Sequence, residues 1–150
     1  MELALELASR WRRLGGALID SLISLVIIIP IMFVFGIFEQ VMQGQGMTIN
    51  QQALILLLSL VIFLVVNAYL LANYGQTVGK RLVGTRIVSN MGGQNVSLLK
   101  IFGLRVLPIS LIAQIPFAGA ILILVDTLFI FREDKRCIHD LIAATKVVKI

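Results

Sequence analysis

The sequence predicts an all-α membrane protein: a compact helical bundle of about four membrane segments with a small strand element outside the membrane. Three observations predict this. Of the 150 residues, 59% are hydrophobic and only 14% are charged, a balance outside the range of soluble domains. No lysine or arginine occurs between Leu14 and Gly79. The net charge of +5 is concentrated in the two ends and a central loop, which is typical of cytoplasmic loops facing anionic lipid and not of nucleic-acid binding.

The N-terminus is predicted to form a short interfacial helix. Leu3, Leu7 and Trp11 recur at helical spacing within residues 1–13, and an amphipathic helix of this kind lies at the depth of the lipid headgroups. A frayed tail is the alternative. The first apolar run is too long for a cleavable signal peptide.

Two full spans are predicted next. The first runs from about Leu14 to Phe38 and contains Pro30, which predicts a kink. The second covers about Ala53 to Ala72. Each has the ~20 apolar residues that a membrane-crossing helix needs. Residues 39–52 between them carry no basic residue, which favours an external loop.

The central basic loop predicts a strand and a turn. Leu82–Val88 has strand composition, and Asn90–Gly93 is a turn signal. Ser97 is a predicted helix N-cap. Residues 80–88 resemble residues 140–148, because in both a small residue and a threonine precede a base and two β-branched residues. The two short strands are predicted to pair on the cytoplasmic side, with chance similarity as the alternative.

The last apolar stretch, Ile101–Phe131, lies between two basic segments, so both of its ends are expected in the cytoplasm. It must then cross twice or return on itself. The segment Ile115–Gly119 is the predicted turn, which leaves two legs that are short for full spans. We therefore predict two short or partly re-entrant helices, with the N- and C-termini both cytoplasmic. A single tilted span is the less favoured alternative.

Ionisable and amide side chains fall at one depth in the predicted bundle. At 1.5 Å per residue, Asp20 lies roughly 10 Å beyond Arg13 along the first helix. Asn67, Arg105 and Asp126 lie at a similar distance from the basic loops. Ionisable groups at this depth are costly and usually functional. The simplest pairing sets Arg105 against Asp20, Asp126 or both. They form either a structural ion pair or a site that binds a cation or a proton.

Two other motifs are less promising. Residues 75–81 superficially resemble a phosphate-binding loop, but one residue is missing between the glycines and Arg81 stands where a serine or threonine is needed. Cys137 and His139 form a poor nucleophile pair, since no third orienting residue can be assigned. Asp140 is expected to cap a short helix or to pair with a base such as Arg12 or Lys80. No metal site, no cofactor and no enzymatic activity are expected.

Three segments together resemble the RDD family of small bacterial membrane proteins: residues 12–20, 75–88 and 139–148. Arg13 and Asp20 are similar to the first arginine and aspartate of the family name. The second aspartate corresponds best to Asp140. The family usually has glycine where Ala144 stands. The motif positions that the resemblance marks are Gly75, Gly79, Lys80, Arg81, His139 and Asp140.

The resemblance implies a multi-pass protein of the bacterial inner membrane, formed by a single RDD-type domain over residues 1–150. Transport of unspecified ligands and cation/proton exchange have been suggested for such proteins. We expect a small transporter-like protein, working as a homo-oligomer, in which Asp20, helped by Asp126, exchanges protons with a monovalent cation. The alternative is a non-transporting scaffold that recruits a partner through the cytoplasmic loop and tail. Expected partners are anionic lipid headgroups, not nucleic acid.

Overall fold

Two long helices dominate the computed structural model, which describes residues 5–150. They are α1 (Arg10–Val34) and α3 (Ile49–Tyr74). Among the described residues, these two helices are long and apolar enough to cross a membrane. The Ser9 side chain caps α1 by accepting a hydrogen bond from the Arg12 amide, and Pro30 lies inside the helix. Both helices include the predicted spans apart from residues 35–38, which lie beyond the end of α1.

The predicted interfacial helix is wrong over residues 5–9, and residues 1–4 lie outside the described part. Here the backbone is extended because it adds to the edge of a sheet. Leu7 bridges Val148, and the Ala8 amide donates a hydrogen bond to the Val147 carbonyl at 3.0 Å. Trp11, on the first turn of α1, is 82% exposed.

The connection between the long helices contains a short helix, α2 (Ile37–Met42). It follows Gly36, whose φ of +67° is in the left-handed region. A capping box then starts α3: Thr48 accepts from the Gln51 amide, and the Gln51 side chain accepts from the Thr48 amide. The predicted loop, residues 39–52, is therefore helical at both ends and irregular over residues 43–48.

The second half of the chain consists of short elements. They are α4 (Val78–Leu82), β1 (Thr85–Ser89), α5 (Leu98–Ile101), α6 (Leu107–Ile112), α7 (Ala118–Leu128), α8 (Ile138–Ile142) and β2 (Thr145–Lys149). A π-helical segment, Phe102–Val106, joins α5 to α6, and a 3₁₀ turn, Phe129–Phe131, ends α7.

The predicted turns and caps are confirmed in this half. Ser97 caps α5 by accepting from the Lys100 amide, and a turn occupies residues 90–93. The stretch 98–131 forms two helical legs, which are separated by a turn at residues 113–117. The π-helical segment adds a residue to one turn of the first leg, a feature often found at functional sites, and it carries Arg105.

The two predicted strands pair, as expected, in an antiparallel sheet with Ile87 opposite Val147. The first strand begins at Thr85 and not at Leu82, because Leu82 ends α4. The inner face of the sheet packs on the end of α3 and on α5, and the core cluster consists of Ala8, Leu71, Ile87, Val96, Ile101 and Val147. Both sheet edges are covered within the chain, by the bridges of Val88 with Asn95 and of Leu7 with Val148. The loop and the tail therefore form one packed unit at the end of the helices.

Candidate functional site

Two glycines allow α4 to lie directly against α1. A Cβ atom on Gly79 would overlap the Gly16 carbonyl oxygen and would come within 2.8 Å of the Asp20 carboxyl carbon. A Cβ on Gly16 would lie 3.2 Å from a Val83 methyl. Small residues at a helix contact permit this close approach. The N-terminus of α4 is thereby held beside Asp20.

Asp20 is bound by donors from the first turn of α4. The Thr77 hydroxyl donates to one carboxylate oxygen at 2.5 Å, and the Gly79 amide donates to the other at 2.7 Å. The free amides of a helix N-terminus stabilise an anion. The segment that superficially resembles a phosphate-binding loop therefore directs its donors at a carboxylate of its own chain.

Lys80 supplies a cation beside this carboxylate. Its Nζ lies 4.0 Å from the Asp20 Oδ2 and donates no hydrogen bond within the part of the chain that the structure describes. Burial, and secondarily the charge of Arg105, lower the pKa of Lys80 to about 8. The ammonium group is therefore only loosely compensated and titrates close to physiological pH.

Asn67 completes the support of α4 from a third element. The Asn67 Oδ1 accepts a hydrogen bond from the Val78 amide at 2.9 Å, and its Nδ2 donates to the Phe63 carbonyl. Asn67 is 5% exposed and does not line the cavity described below. Asn67 was predicted at the same depth as Asp20, Arg105 and Asp126, but in the structure it supports α4 and does not join them around that cavity.

Asp140 is the acid that forms ion pairs with Arg13 and Arg105. It is fully buried. Burial alone would raise the pKa of Asp140, but the Arg105 and Arg13 guanidinium groups outweigh it and hold that pKa well below its usual range. Asp140 also accepts from the Cys137 amide at 3.2 Å, which confirms its predicted role as a helix cap.

The predicted pairing of Arg105 with Asp20 or Asp126 is wrong, because α8 folds back against the π-helical segment and brings Asp140 to Arg105. The suggested partners of Asp140 are wrong as well. Arg12 instead donates to the Val83 carbonyl at 3.2 Å, and Lys80 lies beside Asp20. Arg105 also donates to the Thr145 hydroxyl at 3.1 Å. These contacts tie α1, the π-helical segment and the tail into one cluster.

Asp126 holds His139. The Asp126 carboxylate accepts from the His139 amide at 2.9 Å, and its other oxygen lies 2.6 Å from Nδ1 of the ring. Burial lowers the pKa of His139 despite this carboxylate, so the ring is neutral at pH 7. Asp126 is thus the orienting residue for His139 that the sequence could not identify.

Cys137 lies beside this pair. Ligand atoms of Asp126, Cys137 and His139 all fall within 4.8 Å of one another. However, burial raises the pKa of Cys137 to about 11, and the Arg13 Nη2 is 3.7 Å from its sulfur. A protonated thiol is a weak nucleophile and a weak metal ligand, and the neighbouring guanidinium opposes a bound cation.

The charged groups converge on a cavity of about 370 Å³. Asp20, Lys80, Arg105, Asp126 and His139 line it, together with Thr77 and apolar side chains. We refer to it as the polar cavity. A second cavity of about 500 Å³ runs along α1 and α3 and is lined by Ser24, Leu25, Ile28, Ser59 and Ile62. We refer to it as the groove. Asp20, Ser21 and Phe63 line both.

The remaining sequence-predicted positions do not line the polar cavity. Gly75 ends α3 with a φ of +65°, and its carbonyl accepts from the Ile87 amide at 2.7 Å. Arg81 is exposed and stacks over the Tyr74 ring at 5.0 Å. Arg13 lines a smaller cavity of about 100 Å³ that adjoins the polar cavity and shares Lys80 and Arg105 with it. Sequence reasoning missed Thr77, although its position as N-cap of α4, three residues before Lys80, was a readable signal.

Comparison with known proteins identifies the family. The RDD family profile matches residues 7–144, nearly the whole chain. The chain belongs to the RDD family. It is 38% identical over 140 residues to an uncharacterized protein, YckC, of Bacillus subtilis (strain 168), covering 93% of this chain and 83% of that relative. It is 30% identical over 114 residues to an uncharacterized protein of Haemophilus influenzae, covering 76% and 69%. No solved structure matches the chain.

Proposed function

We propose that this RDD protein exchanges protons for a monovalent cation, with Asp20 as the cation ligand and Lys80 as the proton carrier. The strongest support is the difference between the surroundings of Asp140 and those of Asp20. Asp140 is neutralised by two arginines and is fully buried. Asp20 faces the polar cavity, and its nearest described cation is an ammonium group 4.0 Å away. A loosely held internal counter-ion is one that an external cation can replace.

The proposed cycle balances one proton against one cation. In the empty state Lys80 is protonated and compensates the charge of Asp20. A monovalent cation entering the polar cavity binds the Asp20 carboxylate with help from hydroxyl oxygens. Lys80 then loses its counter-ion, and because its pKa is already lowered to about 8, it releases its proton to water. Reversal on the other side of the membrane returns the proton and frees the cation.

Asp126 has a supporting role in this proposal. Its carboxylate lines the same cavity and is held by His139, so it offers a second oxygen ligand on the way to Asp20. The groove supplies a route deeper into the bundle, since Ser21, Ser24 and Ser59 place hydroxyl groups along it. We further propose a multi-pass, inner-membrane homo-oligomer with both termini in the cytoplasm, which the basic ends of the chain favour.

A scaffold remains the second candidate. Leu82, Met91 and Leu99, on and around the loop, are 70%, 84% and 83% exposed, and a partner would cover such side chains. Against this, both edges of the sheet are covered within the chain. A partner strand could not add there without displacing Asn95 or Leu7, so strand addition, a common mode of peptide recruitment, is not available.

Proteoliposome flux separates the two candidates. Purified protein would be reconstituted in phosphatidylcholine vesicles with an internal pH dye, and sodium, lithium or potassium chloride would be added outside. We expect cation-dependent proton movement that is lost in Asp20→Asn and kept in Asp134→Asn, which changes a partly exposed acid of the tail. A folded parent protein with no flux for any of the three cations would overturn the exchanger proposal and leave the scaffold.

A further inference from the structure

The polar cavity and the groove adjoin each other and differ in chemistry. The polar cavity gathers charged groups, and the adjoining groove is mostly apolar, with Leu25, Ile28, Ile62 and Phe63 along its walls. The groove lies between the two long apolar helices. A phospholipid has the same division, with a charged headgroup at one end and apolar chains at the other.

The charges of the polar cavity select among headgroups. Two acids, Asp20 and Asp126, and two bases, Lys80 and Arg105, line it, and His139 is neutral at pH 7. The lining is therefore neutral as a whole. Bringing a net charge into such a site is costly, because buried charge must be compensated. A headgroup that carries one positive and one negative group adds none.

Lys80, Asp20 and Asp126 can each form further hydrogen bonds with a headgroup in the polar cavity. Lys80 Nζ donates no hydrogen bond to a described residue, and its nearest acid oxygen is 4.0 Å away. An anionic phosphate fits beside such an ammonium group. The carboxylate oxygens of Asp20 and Asp126 keep free lone pairs for a primary ammonium group, which donates three hydrogen bonds. A choline headgroup offers no N–H donor.

We propose that the polar cavity and the groove bind one zwitterionic, amine-bearing phospholipid of the phosphatidylethanolamine type. Its phosphate lies beside Lys80, its ammonium group lies beside Asp20 and Asp126, and one acyl chain lies between α1 and α3. Binding does not depend on ion exchange. If both proposals hold, the phosphate keeps Lys80 protonated, so this lipid inhibits exchange at Asp20.

The single tryptophan makes a direct test possible. In a Trp11→Phe background, Ile62→Trp places the only tryptophan in the groove, and Val65→Trp, one turn away at a position that is 81% exposed, is the matched control. Vesicles would contain brominated phosphatidylethanolamine, phosphatidylcholine or phosphatidylglycerol, whose bromine atoms quench a nearby tryptophan. Ile28→Trp, on the opposite wall, serves as a second groove reporter if Ile62→Trp does not fold.

The expected result is selective quenching at the groove. Phosphatidylethanolamine should bind there roughly fivefold better than phosphatidylcholine, the effect of one or two net hydrogen bonds, and residue 65 should show no preference. Asp126→Asn leaves the lining with one net positive charge, so its preference should move to phosphatidylglycerol. Equal binding of all lipids at both reporters would overturn the proposal, since bulk lipid then fills the groove. So would an unquenched groove reporter, which would indicate a second protein chain there.

Discussion

Replacing Asp140 with asparagine tests the buried cluster that joins α1, the π-helical segment and the tail. The substitution keeps the shape of the side chain and an oxygen that can still cap α8, but it removes the charge that compensates Arg13 and Arg105. Removing one partner of a buried ion pair costs about 3–5 kcal/mol. With two guanidinium groups left uncompensated, we expect Asp140→Asn to fall in the upper half of that range.

The magnitude can be measured by equilibrium unfolding in mixed micelles, with helix content followed by circular dichroism. Asp134→Asn is the matched control, because the Arg132–Asp134 pair is exposed and such pairs contribute about 0–1 kcal/mol. When the pKa of an acid is lower in the folded protein than in the unfolded chain, the acid stabilises the fold at any pH above its unfolded-state pKa. This stability is lost as the pH falls through its folded-state pKa. Since the pKa of Asp140 is depressed, the difference between parent and variant should be constant from about pH 5 to 8. Equal stabilities of the two variants would refute this reasoning.

Three further predictions follow from single positions. Gly79→Ala should cost about 1–3 kcal/mol of unfolding free energy, because its Cβ would overlap the Gly16 carbonyl. Gly103→Ala is the control and should cost nothing, since its Cβ would meet no described atom within 4 Å. Equal losses in the two variants would contradict the close contact. Ala144→Gly should add about 1 kcal/mol to the free energy of unfolding and raise the Tm by roughly 2–4 °C, since Ala144 has a φ of +50°. Ala143→Gly is the control and should lower the Tm, because Ala143 has a φ of −81°. A lower Tm in both variants would contradict strain at residue 144. In the flux assay, the apparent cation affinity should fall about tenfold per pH unit below about pH 8. Lys80→Gln should remove that dependence; an unchanged pH profile would exclude Lys80 as the proton carrier.

Local signals in the sequence predicted much of the fold. The N-cap at Ser97, the turn at residues 90–93 and the pairing of the two strands each depend on a few neighbouring residues or on a repeated pattern, and all are confirmed. The long helices follow from apolar runs. The extended N-terminal segment could not be predicted this way, because helical spacing at Leu7 and Trp11 describes an isolated segment, whereas the edge of β2 determines its backbone.

The candidate site was harder to predict because its contacts join distant parts of the chain. Depth along a helix placed Asp20, Arg105 and Asp126 near one another, and the structure has them lining one cavity. Depth alone cannot show which partner a tail residue will reach, so the sequence predicts the wrong bases for Asp140. The glycine that the family usually has at residue 144 did carry information, since the chain adopts a positive φ there.

Proton release from purified protein would show directly whether a cation bound at Asp20 displaces the proton of Lys80. Protein in detergent would be held in weakly buffered solution at pH 7, where Lys80 with a pKa of about 8 is largely protonated, and sodium chloride would be added with choline chloride as the control salt. The proposed exchange predicts release of nearly one proton per chain on sodium addition, and none from Asp20→Asn or Lys80→Gln. Equal release by the parent protein and Asp20→Asn, or no release for sodium, lithium or potassium, would contradict it.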